Sequence, residues 1–269
     1  MLLNLDVDQK LRIAEAIVDP DRKIIYFWSP KAGSASIAKA VFDSVGKLEE
    51  ATAHGWIHKY RQIYAMTHGI QMSDFETHNK EYRKVYFVRN PYSRIASCYS
   101  HFVLNPTHHT NVPGADNGWP KKTFFQFLET VEKNQGLWKY GVNSNNINAS
   151  SLYHSQTQFP SVDCLLKKNI DDIIKVEDIL TNKDFFKNLG LDLKPEHFII
   201  GNSHHHLSSY RKGTSSAFYE KMYREPGTRE KVEHMYKTDL EFAGYTWEDF
   251  ASKKKIQIDL KKIKKLFSI

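Results

Sequence analysis

The chain has 269 residues, of which 41% are hydrophobic and 26% are charged, as in ordinary globular proteins. A chain of this length buries about three quarters of its unfolded surface without support from disulfides or a metal. Its two cysteines, Cys98 and Cys164, indicate a reducing compartment. No apolar run reaches the roughly 18 residues of a membrane span, and no secretory leader pattern is present. The sequence therefore excludes disordered, collagenous, membrane-spanning and disulfide-rich secreted classes.

The first part of the chain alternates two short apolar runs, rich in β-branched and aromatic residues, with two helical patterns. We expect Ser34 or Ser36 to cap the first helix and Pro91 to begin the second. The predicted elements are strands over 23–28 and 84–88, and helices over 36–45 and 92–103. Alternation of this kind is typical of a parallel sheet covered by helices.

The second part continues the alternation with weaker signals. Pro, Gly, Asn and His make residues 105–120 a predicted loop. The further predictions are helices over 123–134, 177–189, 216–224 and 226–242, strands over 162–166 and 173–176, and a loop over 202–216. No composition shift marks a linker, so we expect one α/β domain.

The connection after the first strand has the composition of an anion-binding loop. It contains small residues around Lys31 and Gly33, and it leads into a helix. Such a turn presents backbone N–H groups and the positive end of a helix dipole to a phosphate. The lysine precedes the glycine, so this is not a Walker A loop. A plain strand-to-helix connection with a solvated lysine remains the alternative.

A second motif follows the second strand. Arg89 ends the strand, and Ser97 lies two turns into the helix that begins at Pro91. A guanidinium and a hydroxyl placed there are able to converge on one phosphate, because open sheets bind ligands at the carboxyl ends of their strands. The alternative is that Arg89 and Arg94 make surface ion pairs while Ser97 packs.

As an ordered pair, the two motifs resemble those of the sulfotransferases that use 3′-phosphoadenosine 5′-phosphosulfate (PAPS). The resemblance is closer to the carbohydrate branch, Golgi-type and heparan- or chondroitin-like, than to the small-molecule branch. In that family a Pro-Lys-x-Gly-[small]-[Ser/Thr] loop holds the 5′-phosphosulfate, and an Arg-[Asp/Asn]-Pro-x-x-Arg-x-x-Ser segment holds the 3′-phosphate. The resemblance implies a P-loop-NTPase-like parallel sheet with helices on both faces. It covers about residues 23–246 of one domain, 1–269, with a basic extension over 250–269.

The resemblance also implies a donor site. At the 5′ end it assigns Lys31, Ala32, Gly33, Ser34, Ala35, Ser36 and Ile37. At the 3′-phosphate it assigns Arg89 and Ser97. Residues 208–214 look like the late loop that closes over the nucleotide, which adds Tyr210, Arg211, Lys212 and Gly213. Segments 123–127 and 173–178, and a tail that includes Tyr236 and Asp239, are also similar to the family.

Sulfuryl transfer moves SO₃ in line between two oxygens, so positioning and charge stabilisation supply most of the catalysis. The resemblance gives Lys31 the role of stabilising the leaving phosphate oxygen, with no metal required. Among thirteen histidines, His68 resembles the histidine that acts as base in the heparan-type enzymes. His154 is the second candidate, and with Gln156 it resembles an acceptor-side segment. The expected acceptor is a hydroxyl group on a carbohydrate.

The triplet 204–206 consists of three histidines, but adjacent residues point in different directions and no further ligand stands at metal-binding spacing. We therefore expect no metal. Two other functions stay open at this point. A nucleotide or nucleoside kinase would share the fold. Against this function, the present sequence lacks the Walker lysine order and has no clear Mg²⁺-holding acid after a strand. A binding module for anionic polymers would use the basic charge, although no RNA-binding motif is visible and no nucleic acid partner is expected.

The net charge is +7 and suits anionic ligands without choosing among them. Seven lysines fall within the last seventeen residues. The stretch 256–267 alternates apolar and basic residues, a pattern suited to peripheral contact with a membrane surface or to a solvated terminal helix. Most carbohydrate sulfotransferases carry a membrane anchor and none is visible here. We expect a cytoplasmic protein, or a Golgi-lumen enzyme if an anchor has been removed.

Overall fold

The computed structural model describes residues 16–54, 57–68, 81–104, 122–134, 155, 157–158, 170–179, 182–194, 197 and 216–251. The strands are β1 Ala16–Asp19, β2 Ile24–Trp28, β3 Arg83–Val88 and β4 Asp172–Lys175. The α-helices are α1 Ser34–Ser44, α2 Leu48–Ala53, α3 Ile57–Thr67, α4 Pro91–Phe102, α5 Phe124–Lys133, α6 Lys183–Asn188, α7 Ser216–Met222, α8 Thr228–Met235, α9 Lys237–Ala243 and α10 Trp247–Ala251.

The contacts divide the chain into two compact units. The sheet unit contains the described residues up to 88 and those from 170 to 197. The helical unit contains the described residues from 89 to 158 and those from 216 to 251. The boundary falls between the last residue of β3 and Arg89.

The sheet has the strand order β1–β2–β3–β4. β2 pairs with β3 in parallel, as does β3 with β4, whereas β1 is antiparallel to β2. Only a few residues separate β1 from β2, too few for a parallel crossover, so the two strands form a hairpin. Arg22 closes this hairpin, since its backbone N–H and its Nη1 donate to the buried Asp19 carboxylate over 3.0 and 2.5 Å.

Both faces of β1 and β2 are buried, as is common in mainly parallel sheets. Helices α1, α2 and α3 contribute to the core on one face, where the Tyr26 hydroxyl donates to the Leu189 carbonyl over 3.0 Å. On the opposite face, Ile25 and Phe27 are also buried. The largest buried side chains on the helix-covered face include Tyr26, Trp28, Phe42, Tyr60, Phe87 and Phe186.

The helical unit is arranged around α4, which contacts α5, α7 and α10. Helix α5 begins with a capping box, in which Thr123 and Gln126 bond to each other's backbone N–H groups. Glu225 accepts hydrogen bonds from the Thr123 hydroxyl (2.8 Å) and the Phe125 N–H (3.1 Å). The first turn of α5 is thereby tied to the segment that precedes α8.

The structure confirms the α/β class, the mainly parallel sheet, and the strands predicted at 23–28, 84–88 and 173–176. The four-residue β1 and the helices α2, α3 and α10 were not predicted. The predicted strand at 162–166 and the predicted loop at 105–120 lie outside the described residues. The patterns at 177–189 and 226–242 were read as single helices and this was wrong. The first contains a 3₁₀ turn at Val176–Asp178 before α6, and the second is divided at Tyr236 into α8 and α9.

Candidate functional site

The loop between β2 and α1 makes a tight turn with an unusual backbone. The Ala32 N–H donates to the Ser29 carbonyl over 3.1 Å, which makes Pro30 and Lys31 the central residues of the turn. Lys31 has a φ of +65°. A type II turn requires such a value at this position, where glycine usually supplies it. For a non-glycine residue this conformation costs about 1 to 3 kcal/mol of conformational free energy, and strain of this kind is concentrated at binding loops.

Gly33 turns the loop into α1. Its φ is +74°, and its carbonyl accepts from the N–H groups of Ser36 and Ile37 over 3.0 and 3.1 Å. A Cβ built at Gly33 would meet no atom within 4 Å, so glycine is needed here for its backbone angle and not for space. Ser34 and Ser36 were predicted as caps, and this was wrong. The left-handed glycine begins the helix, and both serines lie inside its first turn.

The residues assigned to the 5′ end differ in what they present. The side chains of Ala32 and Ile37 are buried in the core, so only their main chains are able to face a ligand. Gly33 is exposed and the remaining four are partly exposed, namely Lys31, Ser34, Ala35 and Ser36. The first turn of a helix presents N–H groups to an anion. The loop therefore combines main-chain donors, two hydroxyls and one ammonium group.

Arg89 is bonded to the last residue of β3 and lies just before α4. The Asn90 side chain caps α4 by accepting from the Tyr92 N–H over 3.0 Å. The Arg89 Nε donates to the Ser93 hydroxyl over 3.0 Å. Ser93 and Ser97 are one turn apart and share a face of the helix, and Ser97 is 9% exposed. The Ser93 hydroxyl itself donates to the Asn90 carbonyl over 3.0 Å, so its role here is to hold the Arg89 side chain. Arg89 and Ser97 thus lie along one side of α4, with Ser93 between them.

His68 directly follows α3 and is exposed. Its ring lies on that of Tyr64, with centroids 4.1 Å apart, and its Nδ1 is 2.9 Å from the Tyr64 carbonyl oxygen. A carbonyl only accepts, so Nδ1 carries the hydrogen, and in the neutral ring Nε2 holds the lone pair. Two turns earlier on α3, the buried Arg61 lies over the Trp28 ring at 5.1 Å. This contact packs α3 against the residue that precedes the loop.

Two residues near Arg89 have roles that the motif alone did not reveal. Arg94 is completely buried and lies 3.7 Å from the buried Asp239 carboxylate, so the alternative of a surface ion pair at Arg94 was wrong. The Gln158 side chain bonds to both the N–H and the carbonyl of Arg89. No motif covered Gln158. The only signal was its position two residues after Gln156, in the segment assigned to the acceptor.

The remaining predicted site residues lie outside the described part of the chain. They are His154, Gln156, Tyr210, Arg211, Lys212 and Gly213, and the histidines at 204–206 lie outside it as well. Within the described residues, no group of three or more His, Cys, Asp or Glu side chains is placed to hold a metal ion. No helix in the described ranges has the length and the apolar character that a membrane crossing requires.

Comparison with known families yields one match. A model described as the sulfotransferase family matches residues 14–246, a range that contains most of the chain and includes residues of both units. Neither a comparison with curated proteins nor one with solved structures returned a significant match.

The backbone of Lys31 leads to a stability prediction. Lys31→Gly and Lys31→Ala both remove the ammonium group, but only glycine relieves the left-handed strain. We expect the glycine variant to have a free energy of unfolding about 1 kcal/mol higher than the alanine variant, after the flexibility of glycine in the unfolded chain is counted. Urea denaturation measures this difference. Lys23, which also has a positive φ of 53°, is the matched control and should show the same order. Equal free energies of unfolding for Lys31→Gly and Lys31→Ala would contradict the claim that the backbone is strained at residue 31.

Proposed function

Because the chain belongs to the sulfotransferase family and is therefore a transferase of sulfuryl groups, we propose that its donor is PAPS and its acceptor a carbohydrate hydroxyl. The observation that carries the proposal is the placement of Arg89 and Ser97 along one side of α4, with the Arg89 Nε held by the Ser93 hydroxyl. A guanidinium beside hydroxyls suits a phosphate group. The 3′-phosphate distinguishes PAPS from ATP, so a dedicated site for it favours a sulfate donor over a kinase substrate.

The loop at residues 29–37 is the proposed site of the 5′-phosphosulfate. The donor carries about four negative charges near neutral pH, counting about two on its 3′-phosphate. The main-chain N–H groups at the start of α1, with the hydroxyls of Ser34 and Ser36, would bind the phosphate oxygens. The Lys31 ammonium group would add a single compact positive charge to this loop. Residues 210–213 are proposed to close over the nucleotide.

The reaction exchanges one S–O bond for another. The acceptor oxygen attacks the sulfur, the bond from sulfur to the 5′-phosphate oxygen breaks, and that oxygen keeps the electron pair. Lys31 is proposed to stabilise this developing charge, which is the role of a preorganised cation in group transfer. The products are the sulfated acceptor and adenosine 3′,5′-bisphosphate.

His68 is proposed to take the proton from the acceptor hydroxyl. The contact of Nδ1 with the Tyr64 carbonyl supports this role, because it holds the neutral ring in the form whose Nε2 accepts a proton. His68 is also exposed at the end of its helix, where an acceptor has access. His154 and Gln156 are proposed to contact the acceptor.

The donor assignment is tested with two ligands. Arg89→Ala should weaken binding of adenosine 3′,5′-bisphosphate about 10- to 100-fold, the effect of losing a hydrogen bond to a charged group. Binding of adenosine 5′-phosphate, which lacks the 3′-phosphate, should change less than about twofold because the lost contact is absent from it. Titration calorimetry measures both affinities.

Arg229→Ala is the matched control for Arg89, since Arg229 is an exposed arginine of the same unit that pairs with Glu233. It should leave both affinities unchanged. Equal losses for the two ligands in Arg89→Ala would contradict the assignment. Tighter binding of ATP with Mg²⁺ than of the bisphosphate by the unaltered protein would favour a kinase instead.

The role of Lys31 predicts a loss in turnover. Lys31→Ala and Lys31→Gly should both lower kcat about 100-fold or more, as when other single charge-stabilising donors are removed, whereas the donor Kd should rise much less. Sulfate transfer from radiolabelled donor measures kcat. Lys23→Ala, which removes a lysine of similar backbone conformation, should keep normal turnover. A Lys31 variant with normal kcat would contradict the catalytic role and favour the alternative of a solvated lysine.

The role of His68 also predicts a loss in turnover. His68→Ala should lower kcat by about 10²- to 10⁴-fold, the usual contribution of a general base, without changing the Kd of adenosine 3′,5′-bisphosphate. His54→Ala is the control, because His54 is an exposed histidine that also lies beside a tyrosine of α3. A normal kcat in His68→Ala would exclude His68 as the base.

A further inference from the structure

The Gln158 side chain holds the main chain of Arg89 at both of its polar groups. Its Oε1 accepts from the Arg89 N–H and its Nε2 donates to the Arg89 carbonyl, each over 2.8 Å. Gln158 is 4% exposed, so water competes little for these bonds. The peptide groups on both sides of the Arg89 Cα are therefore tied to one side chain, and this limits the directions in which the arginine side chain leaves the backbone.

Gln158 is itself held by Asp239. Both oxygens of this carboxylate accept from the Gln158 N–H, over 2.9 and 2.8 Å. Asp239 is completely buried and faces the equally buried Arg94 guanidinium at 3.7 Å. A carboxylate in such a place needs an opposing charge and hydrogen bonds, and Arg94 and Gln158 provide them.

Tyr236 holds the main chain near Gln158 at a second point, Ser155. Its hydroxyl donates to the Ser155 carbonyl, and its ring lies 5.2 Å from the Arg94 guanidinium carbon. Burial raises the pKa of Tyr236, so the hydroxyl keeps the proton that it donates. Tyr236 and Asp239 are three residues apart and bond to Ser155 and Gln158, which are also three residues apart. The segment is thus attached at two places to the start of α9.

We propose that Gln158, Asp239 and Arg94 are positioning residues for Arg89, which they hold in the geometry that binds the 3′-phosphate of the nucleotide. This inference rests on the proposed function. The chain of contacts runs from Arg94 to Asp239, from Asp239 to Gln158, and from Gln158 back to Arg89. The second arginine of the motif therefore acts on the first through a carboxylate and an amide, and does not need to contact the ligand.

The same network accounts for two residues of the family-like tail. Tyr236 and Asp239 are both buried, and they bond to Ser155 and Gln158. A side chain as flexible as arginine loses much conformational freedom when it binds a ligand. An anchored backbone lowers that loss before the ligand arrives.

The test uses Gln158→Met, which keeps the shape of the side chain and removes both hydrogen bonds to Arg89. We expect the Kd of adenosine 3′,5′-bisphosphate to rise about tenfold or more, the usual effect of losing a residue that orients a binding group. The Kd of adenosine 5′-phosphate should change less than about twofold, because the orientation of Arg89 does not affect it. Gln126→Met is the matched control, since Gln126 caps α5 in the same unit. It should leave both affinities unchanged.

A double-mutant cycle distinguishes positioning from general damage to the fold. In an Arg89→Ala background, Gln158→Met should have no further effect on the affinity for the bisphosphate, since the group that it positions is gone. Additive losses, or equal losses for both nucleotides, would overturn the inference. If Gln158→Met does not fold, Gln158→Asn retains the amide on a shorter side chain and should show the same selective loss.

The outcomes separate this inference from the proposed function. If Arg89→Ala does not discriminate between the two nucleotides, the 3′-phosphate site itself is wrong. If Arg89→Ala discriminates and neither Gln158 variant does, the site stands and the positioning role fails.

Discussion

The parallel pairing of β2 with β3 is the constraint on which the rest of the architecture depends. Trp28 lies opposite Phe87 in this pair, and the Ser29 N–H continues the ladder by donating to the Phe87 carbonyl over 3.2 Å. Parallel strands end at the same edge of a sheet, which is where open α/β sheets bind ligands. The loop that carries Lys31 follows β2, and Arg89 is bonded to the last residue of β3. One pairing therefore fixes the ends of the two strands that precede the cationic motifs.

The two cations are proposed to have different tasks, and their chemistry agrees with this proposal. Lys31 carries a compact charge on a turn whose backbone is strained, and a compact charge is appropriate for an oxygen that becomes more negative during a reaction. Arg89 carries a planar guanidinium whose Nε is already engaged by Ser93, and a fork of this kind suits a phosphate that is held without being altered. Lys31 lies in a loop of mostly small residues. The main chain of Arg89 is held by hydrogen bonds.

The helical unit contains a buried ion pair where an apolar contact would cost less. Arg94 and Asp239 are both fully buried, and the removal of two charges from water often costs more than their attraction returns. The ion pair orients the hydrogen-bonding groups next to it. The carboxylate orients the Gln158 N–H, and the amide of the same residue orients Arg89. Apolar side chains of equal volume would fill the same space but would leave the buried Gln158 N–H without this acceptor.

The sequence by itself determined the α/β class, three of the four described strands, and the two cationic motifs, because apolar runs, turn residues and motif spacing are local properties of the chain. It did not reveal β1, which is only four residues long and becomes a strand by pairing with β2. It misplaced the cap of α1, since nothing in the spacing of the serines shows that Gly33 adopts a left-handed angle. The burial of Arg94 and the hold of Gln158 on Arg89 were decided by tertiary structure alone. Gln158 lies 69 residues beyond Arg89 and Asp239 a further 81 residues along, and only the folded chain brings their hydrogen-bonding groups out of water together.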